Sequence, residues 1–446
     1  MDTPVCDFVR QYAGENALRL HMPGHKGVPL LGMEPLDITE IDGADSLYEA
    51  GGILRKSEEN VSALFGCRTY YSTEGSSQCI RAMLYLALLY ARKNGRPPLV
   101  LAGRNAHKTF LSAAALLDLQ VEWICPQPDA PYLCCTPSAE QVEALLRAGP
   151  EPPAAVYLTS PDYLGSLADI GPIARVCRRY GTLLLVDNAH GAYLRFLQPS
   201  AHPMDLGADL CCDSAHKTLP VLTGGAYLHL SDALPEPLAR QARNALALFG
   251  STSPSYLILQ SLDRANAWLQ ENAQAIRCFA GSAQALRQRL ARQGYTLLGD
   301  EPLKLTLSAR PRGYTGRELA QLLRAQHIVA EFADPDYLVL MLAPDTGESG
   351  LTALEQALAD IPAKAPLPER PPRIPRAERV LSVREAALSP AVELPVEACE
   401  GRVLAAASVG CPPAVPVLVC GERISAEAIR CFRYYGVERC WVTDDR

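Results

Sequence analysis

From about residue 55 onward the chain alternates between two spacings of hydrophobic positions. Glu58–Phe65 and Ser77–Tyr90 repeat apolar residues at helical intervals. Leu99–Ala102, Ala155–Thr159, Leu183–Val186 and Asp209–Asp213 are short apolar runs of strand length, each bounded by turn residues. Lys108–Leu117 and Ile173–Tyr180 predict helices between them. Strands alternating with helices predict a mostly parallel sheet covered on both faces, an α/β domain. In such sheets chemistry collects at the carboxyl ends of the strands. A long helical stretch, about Ser255–Gln293, leads to a smaller α+β region with strands at Leu303–Ser308 and Tyr337–Ala343 and helices at Gly316–Ala325 and Leu351–Leu358. Six prolines within Pro362–Pro375 predict a stiff, extended linker. A terminal module follows, with apolar segments at Val417–Cys420 and Ala426–Tyr435. The predicted organisation is an N-terminal segment (1–20), a large domain (21–260), a connecting helix and small domain (261–361), a linker (362–376) and a C-terminal α/β module (377–446).

Composition narrows the class. A chain of 446 residues supports two or three domains, and 48% hydrophobic with 20% charged residues excludes a disordered or fibrous protein. The net charge of −7 gives no general pull toward nucleic acid or anionic lipid. The longest apolar run, Ala82–Ala91, is closed by Arg81 and Arg92 and is too short to span a bilayer; no basic-then-apolar leader opens the chain. The fifteen cysteines show no C-x-x-C spacing, so neither a metal site nor a disulfide framework is expected, and a reducing cytoplasm is.

Lysine usage points to chemistry. Only seven of the 42 basic residues are Lys, and three of those follow a His. A lysine is ordinarily a solvated surface charge. Lys217 differs, because it sits just after a strand-like segment, where a cofactor would lie. Thirty residues earlier, Leu183-Leu-Leu-Val-Asp187 ends an apolar strand in a carboxylate. An amine and an acid on nearby strand ends have a known joint use. The Lys forms a Schiff base with pyridoxal phosphate, and the Asp keeps the pyridine nitrogen protonated so that the ring accepts electrons. Gly75, Ser76 and Ser77 open a predicted helix, where backbone N–H groups and hydroxyls suit a phosphate.

The ordered motifs "LRLHMPGHKG" (18–27), "LDITEIDGADSLYEAGG" (36–52), "STEGSS" (72–77), "RNAHKTF" (104–110), "TSPDYLG" (159–165), "VDNAHGAY" (186–193), "DSAHKTLP" (213–220) and "STSPSYL" (251–257) resemble the Orn/Lys/Arg decarboxylases, pyridoxal-phosphate enzymes of the aspartate-aminotransferase fold. "RVLSVREA" (379–386) and "PVLVCGERI" (416–424) resemble that family's C-terminal domain, and the early position of His21 resembles its shorter form. The resemblance implies a fold-type I α/β large domain with a mostly parallel sheet flanked by helices. It makes Lys217 the Schiff-base lysine and Asp187 the pyridinium partner, with Ala189 under the ring and His107 stacked on its other face. Ser214 and His216 would hold the phosphate with Gly75, Ser76 and Ser77. Thr252 or Ser253 would reach the phosphate of a neighbouring subunit, since the family builds shared sites in a homodimer or larger homo-oligomer. His190 would lie near the substrate carboxylate or the ring hydroxyl. Asn188 and Tyr193 depart from the family's usual Glu and His, which bears on substrate preference. Asp162 is read either as a charge near the site or as a surface turn acid.

The implied reaction is decarboxylation of arginine, lysine or ornithine to a polyamine-pathway amine, with His216 and Lys217 as candidate acids for reprotonating the α-carbon. The distal cation of such a substrate wants a carboxylate, and Asp45 and Glu49 are candidates. Transamination, which would use an Arg such as Arg310, Arg312 or Arg317 on the substrate carboxylate, and β-elimination are alternatives. A non-catalytic homologue is another.

Overall fold

The computed structural model describes residues 1–446 apart from 128–129, 369–370, 375, 407–412 and 445–446. In chain order its strands are β1 Arg68–Ser72, β2 Leu99–Gly103, β3 Gln120–Ile124, β4 Ala155–Thr159, β5 Leu183–Asp187, β6 Leu210–Asp213, β7 Ala226–Leu230, β8 Thr296–Leu298, β9 Lys304–Ser308, β10 Phe332–Ala333, β11 Tyr337–Met341, β12 Ala391–Pro395, β13 Leu404–Ala406 and β14 Arg439–Thr443. The architecture is α/β, with a mostly parallel sheet flanked by helices. The chain groups into two compact units, 1–97 with 170–274, and 98–169 with 275–446.

In the first unit the strand order is β1-β7-β6-β5, and β7 alone runs against the others. Every residue of β5 is buried, as a strand covered by helices on both faces requires. The helix Gly75–Lys93 packs on β1, β5, β6 and β7. It buries Ile80, Met83, Leu84, Leu86 and Leu88, and it ends with Arg92 and Lys93 in its last turn, where cations suit the helix dipole. The β5 register pairs Asp187 with Cys212, so the carboxylate that ends β5 lies level with the end of β6. The next residues after β6 form the short turn of helix Ala215–Thr218 that carries Lys217.

The second unit holds three parallel strands in the order β4-β2-β3, with helix Lys108–Leu117 following β2. A four-stranded sheet, β10-β11-β9-β8, is antiparallel throughout, with helices Gly316–Arg324 and Gly347–Ala359 in the same stretch of chain. A third sheet, β12-β14-β13, is also antiparallel and packs with helix Ala426–Tyr435 around Leu404, Ile424, Phe432 and Val442. Helix Tyr256–Arg292 is 37 residues long and contributes to both units.

Lys108–Leu117, Ala155–Thr159 and Ala426–Tyr435 fall where the hydrophobic spacing predicts them. Val417–Cys420 is buried but forms no strand; Glu422 folds its carboxylate back onto the Val419 amide at 2.8 Å and turns the chain. Within the proline-rich segment, residues 369–370 and 375 lie outside the described residues. Its start is pinned, because the amides of Lys364 and Leu367 donate to the carbonyls of Arg312 and Arg310. Among the described residues no helix is long and apolar enough to cross a membrane.

Candidate active site

The predicted cofactor residues of the first unit gather at the carboxyl ends of β5 and β6. Asp187 is 2% exposed; its Oδ1 accepts the Ala189 amide at 3.2 Å and lies 3.7 Å from the Cys212 thiol. Lys217 Nζ stands 3.1 Å from His190 Nε2, so the amine and the buried imidazole form one pair. His190, expected near the substrate carboxylate or the ring hydroxyl, thus stands beside the lysine.

Ser214 Oγ donates to Ser76 Oγ at 2.8 Å, which joins the turn before Lys217 to the first turn of helix Gly75–Lys93. First-turn amides have no intrahelical acceptor, so this end of the helix suits an anion. Gly75 does not contribute its amide as expected, because that N–H donates to the Gly224 carbonyl at 2.7 Å. Gly224 has φ +102°, and a Cβ there would meet the Thr73 carbonyl oxygen at 2.8 Å, so the pairing loop requires glycine. Gly75 has φ +70°, the left-handed region that favours glycine, and so opens the helix turn that carries Ser76 and Ser77. His216 Nδ1–H donates to the Gly225 carbonyl at 2.9 Å. Burial lowers its pKa below the usual histidine value against that hydrogen bond, and the Lys217 charge adds to the lowering, which favours the neutral ring.

Other predicted residues are placed differently. Asp45 accepts the amides of Ser46, Gly51, Gly52, Leu54 and Arg55 at 2.7 to 3.4 Å, so its carboxylate caps helix Ile53–Phe65 and is not an open anion for a substrate cation. Glu49 is exposed, as is Thr252. His107 belongs to the second unit, where its Nδ1 accepts the Thr109 amide at 3.1 Å and caps helix Lys108–Leu117. Asp162, also in that unit, is fully buried rather than a surface acid: its Oδ1 accepts the amides of Leu164 and Ser166, and its carbonyl accepts from Lys304 Nζ at 3.2 Å.

Sequence reasoning missed a cluster behind the site. Asp213, at the end of β6, is fully buried and accepts from His202 Nε2 at 3.0 Å, His229 Nε2 at 3.1 Å and Asn188 Nδ2 at 2.7 Å. The signal for Asp213 was the same as for Asp187, a carboxylate closing an apolar strand.

The donor set therefore fits pyridoxal phosphate. A lysine amine, a buried carboxylate and two hydroxyls at a helix N-terminus sit in one unit around strand ends. Fold and donor set define a fold-type I, pyridoxal-phosphate-dependent enzyme. A protein-family model described as Orn/Lys/Arg decarboxylase, major domain, matches residues 3–298, and the chain belongs to that family of carboxy-lyases. It is 29% identical to the uncharacterized protein YaaO of Bacillus subtilis, covering 96% of this chain and 93% of the relative. It is 27% identical to an arginine decarboxylase of Halalkalibacterium halodurans, covering 95% and 91%. The fold is similar to that of the lysine decarboxylase LdcF of Francisella novicida, with a TM-score of 0.78 at 16% identity over 99% of this chain and 81% of that one.

Proposed function

We propose that the protein removes the α-carboxylate of a basic L-amino acid, arginine, lysine or ornithine, to give CO2 and the corresponding polyamine-pathway amine. The observation that carries this reading is the Lys217–His190 pair at 3.1 Å beside the buried Asp187, in a member of this family. Similarity to arginine decarboxylases at 26–27% identity favours arginine as the first substrate to test.

When bound, pyridoxal phosphate supplies an electron sink for the pair left behind as the carboxylate departs. Lys217 would hold the cofactor covalently, and Asp187 would hold a proton at its pyridine nitrogen. Ala189 would bound the ring on one side. Ser76, Ser77, Ser214 and His216 would hold the phosphate, at the turn that Gly75 opens. His190 orients the Lys217 amine, and Lys217, with His216 as the second candidate, would deliver the proton to the α-carbon. In the loop that Asp45 caps, Glu49 remains the acid proposed for the distal cation.

The transaminase alternative needs an arginine free to clamp the substrate carboxylate. Arg312 donates to the carbonyls of Gln293 and Ile361 and lies over the Tyr295 ring at 4.0 Å; Arg310 donates to the Tyr434 hydroxyl, and Arg317 to the Tyr435 carbonyl. These engagements favour decarboxylation.

A second copy of the chain is the proposed macromolecular partner. Leu18, Leu20, Leu30 and Leu31 are each more than four-fifths exposed within one short segment, which suits burial in a homo-oligomer with shared sites. A solution mass of a single chain would refute it. A cytoplasmic setting is supported by the fourteen described cysteines, all but Cys125 and Cys278 of which are buried.

The test is mass spectrometry of products from the cofactor-loaded protein incubated with an equimolar amino-acid mixture. Agmatine, cadaverine or putrescine is expected. Keto acids or pyruvate alone would overturn the decarboxylase reading.

A further inference from the structure

The turn that follows Asp187 is bolted to β6 twice. The Asn188 amide donates to the Cys212 carbonyl at 2.9 Å, and the Asn188 side chain donates to Asp213 Oδ1 at 2.7 Å. The Gly191 amide closes the turn onto the Asn188 carbonyl at 2.8 Å. A Cβ at residue 191 would fall 2.0 Å from Asn188 Oδ1, so the closed turn needs glycine there. Asn188 is fully buried. It has one side-chain orientation in which its NH2 faces the Asp213 carboxylate.

Asp213 is in turn held by two histidines. The Met204 amide donates to His202 Nδ1 at 3.3 Å, which leaves the ring proton on Nε2, facing Asp213. His229 Nε2 faces Asp213 Oδ2, which only accepts, so this ring too carries its proton on Nε2, while its Nδ1 meets Thr69 Oγ1 at 2.8 Å. The Cys211 thiol adds a contact at 3.7 Å. Burial alone would raise the Asp213 carboxyl, but the two histidines outweigh it and hold the group well below the usual carboxylate range. Burial lowers the His229 pKa, with the Asp213 carboxylate pulling the other way. The result is a single buried anion with donors on both oxygens, one residue's reach from Asp187.

We propose that Asn188 and Asp213 are positioning residues for Asp187: the Asn188 amide, clamped on Asp213 Oδ1, fixes the turn that aims the Asp187 carboxylate, and His202 and His229 hold the other oxygen of Asp213 in place. A carboxyl at position 188 would face Asp213 and make the contact depend on a shared proton, whereas the asparagine amide donates to Asp213 without one.

The inference rests on Asp187 as the carboxylate that faces the cofactor's ring nitrogen, so Asp187→Ala is the reference. The full-length, cofactor-loaded protein is compared with Asn188→Ala, Asn188→Asp, Asp213→Asn and the double exchange Asn188→Asp/Asp213→Asn. Three quantities are read: the pH midpoint of the bound cofactor's absorbance, the cofactor dissociation constant, and kcat and KM separately. Thermal unfolding identifies any variant that does not fold. A misaimed carboxylate should lower kcat by about 10-fold or more with KM within about 3-fold in the single variants. The absorbance midpoint should move by about half a pH unit or more in the same direction as in Asp187→Ala. The double exchange rebuilds an amide–carboxylate hydrogen bond with its polarity reversed and should recover kcat to within about 3-fold of wild type. Folded single variants with an unchanged midpoint and kcat, or a double exchange no better than the singles, would overturn the proposal. An unmoved midpoint in Asp187→Ala itself would instead overturn the assignment of Asp187 on which it rests.

Discussion

Replacing Asp45 with alanine separates a structural carboxylate from a substrate-binding one. The side chain takes five amide donors: Ser46 and Gly51 on Oδ1, and Gly52, Leu54 and Arg55 on Oδ2. The last two of these amides belong to the first turn of helix Ile53–Phe65, which would otherwise lack acceptors. Losing an N-cap side chain costs about 0.5–2 kcal/mol, and the charge of this acceptor and the number of its bonds place Asp45 at the upper end, near 2 kcal/mol. For a unit of about two hundred residues, that predicts a melting temperature lower by about 4–8 °C. Calorimetry or a thermal scan of the cofactor-loaded protein reads the shift. Steady-state kinetics on the decarboxylated amino acid should show KM within about 2-fold of wild type, because the carboxylate has no bonding capacity left for a substrate cation. Asp45→Asn should fall between wild type and alanine, since it keeps one acceptor oxygen. An unchanged melting temperature together with a KM raised about 10-fold or more would refute the capping assignment and return Asp45 to the substrate site.

The buried Glu58, paired with Arg243 and accepting the Tyr71 amide at 2.9 Å, has its pKa raised to about 7, because burial outweighs the arginine. A folded pKa above the unfolded one means stability present at low pH that is lost as pH rises from about 4.5 to about 7. The loss amounts to about 3 kcal/mol, and the corresponding part of the stability–pH slope should vanish in Glu58→Gln; an identical slope in both proteins would sink the assignment. Ser214→Ala removes the hydroxyl that bonds Ser76 and should weaken pyridoxal phosphate binding by about 10-fold in an absorbance titration. An unchanged dissociation constant would show that this pair does not hold the phosphate.

The apolar strands were legible because their signal is local. Leu183–Val186 and Ala155–Thr159 are uninterrupted hydrophobic runs, and both lie fully or nearly fully buried. β1 and β7 were not legible, although they pair with each other along five residues. Arg68-Thr-Tyr-Tyr-Ser72 reads as polar, and His229 interrupts Ala226–Leu230, yet both become strand because the side chains are satisfied across the pair. The same division runs through the site. Lys217, Asp187 and Ser76 could be found from strand ends and a helix start, which a single segment defines, whereas Ser214 came only from the family resemblance. Asp45 was visible as an acid, and its donors all come from the next ten residues, but naming them requires knowing that the chain turns back into the helix at Ile53. Asp213 is the harder case, since its donors arrive from Asn188, His202 and His229, on three separate stretches of chain. A strand-end carboxylate announces itself in sequence. Whether it faces a cofactor, caps a helix or anchors a neighbour is decided by the donors that the fold brings to it, and those that come from distant segments leave no trace in local spacing.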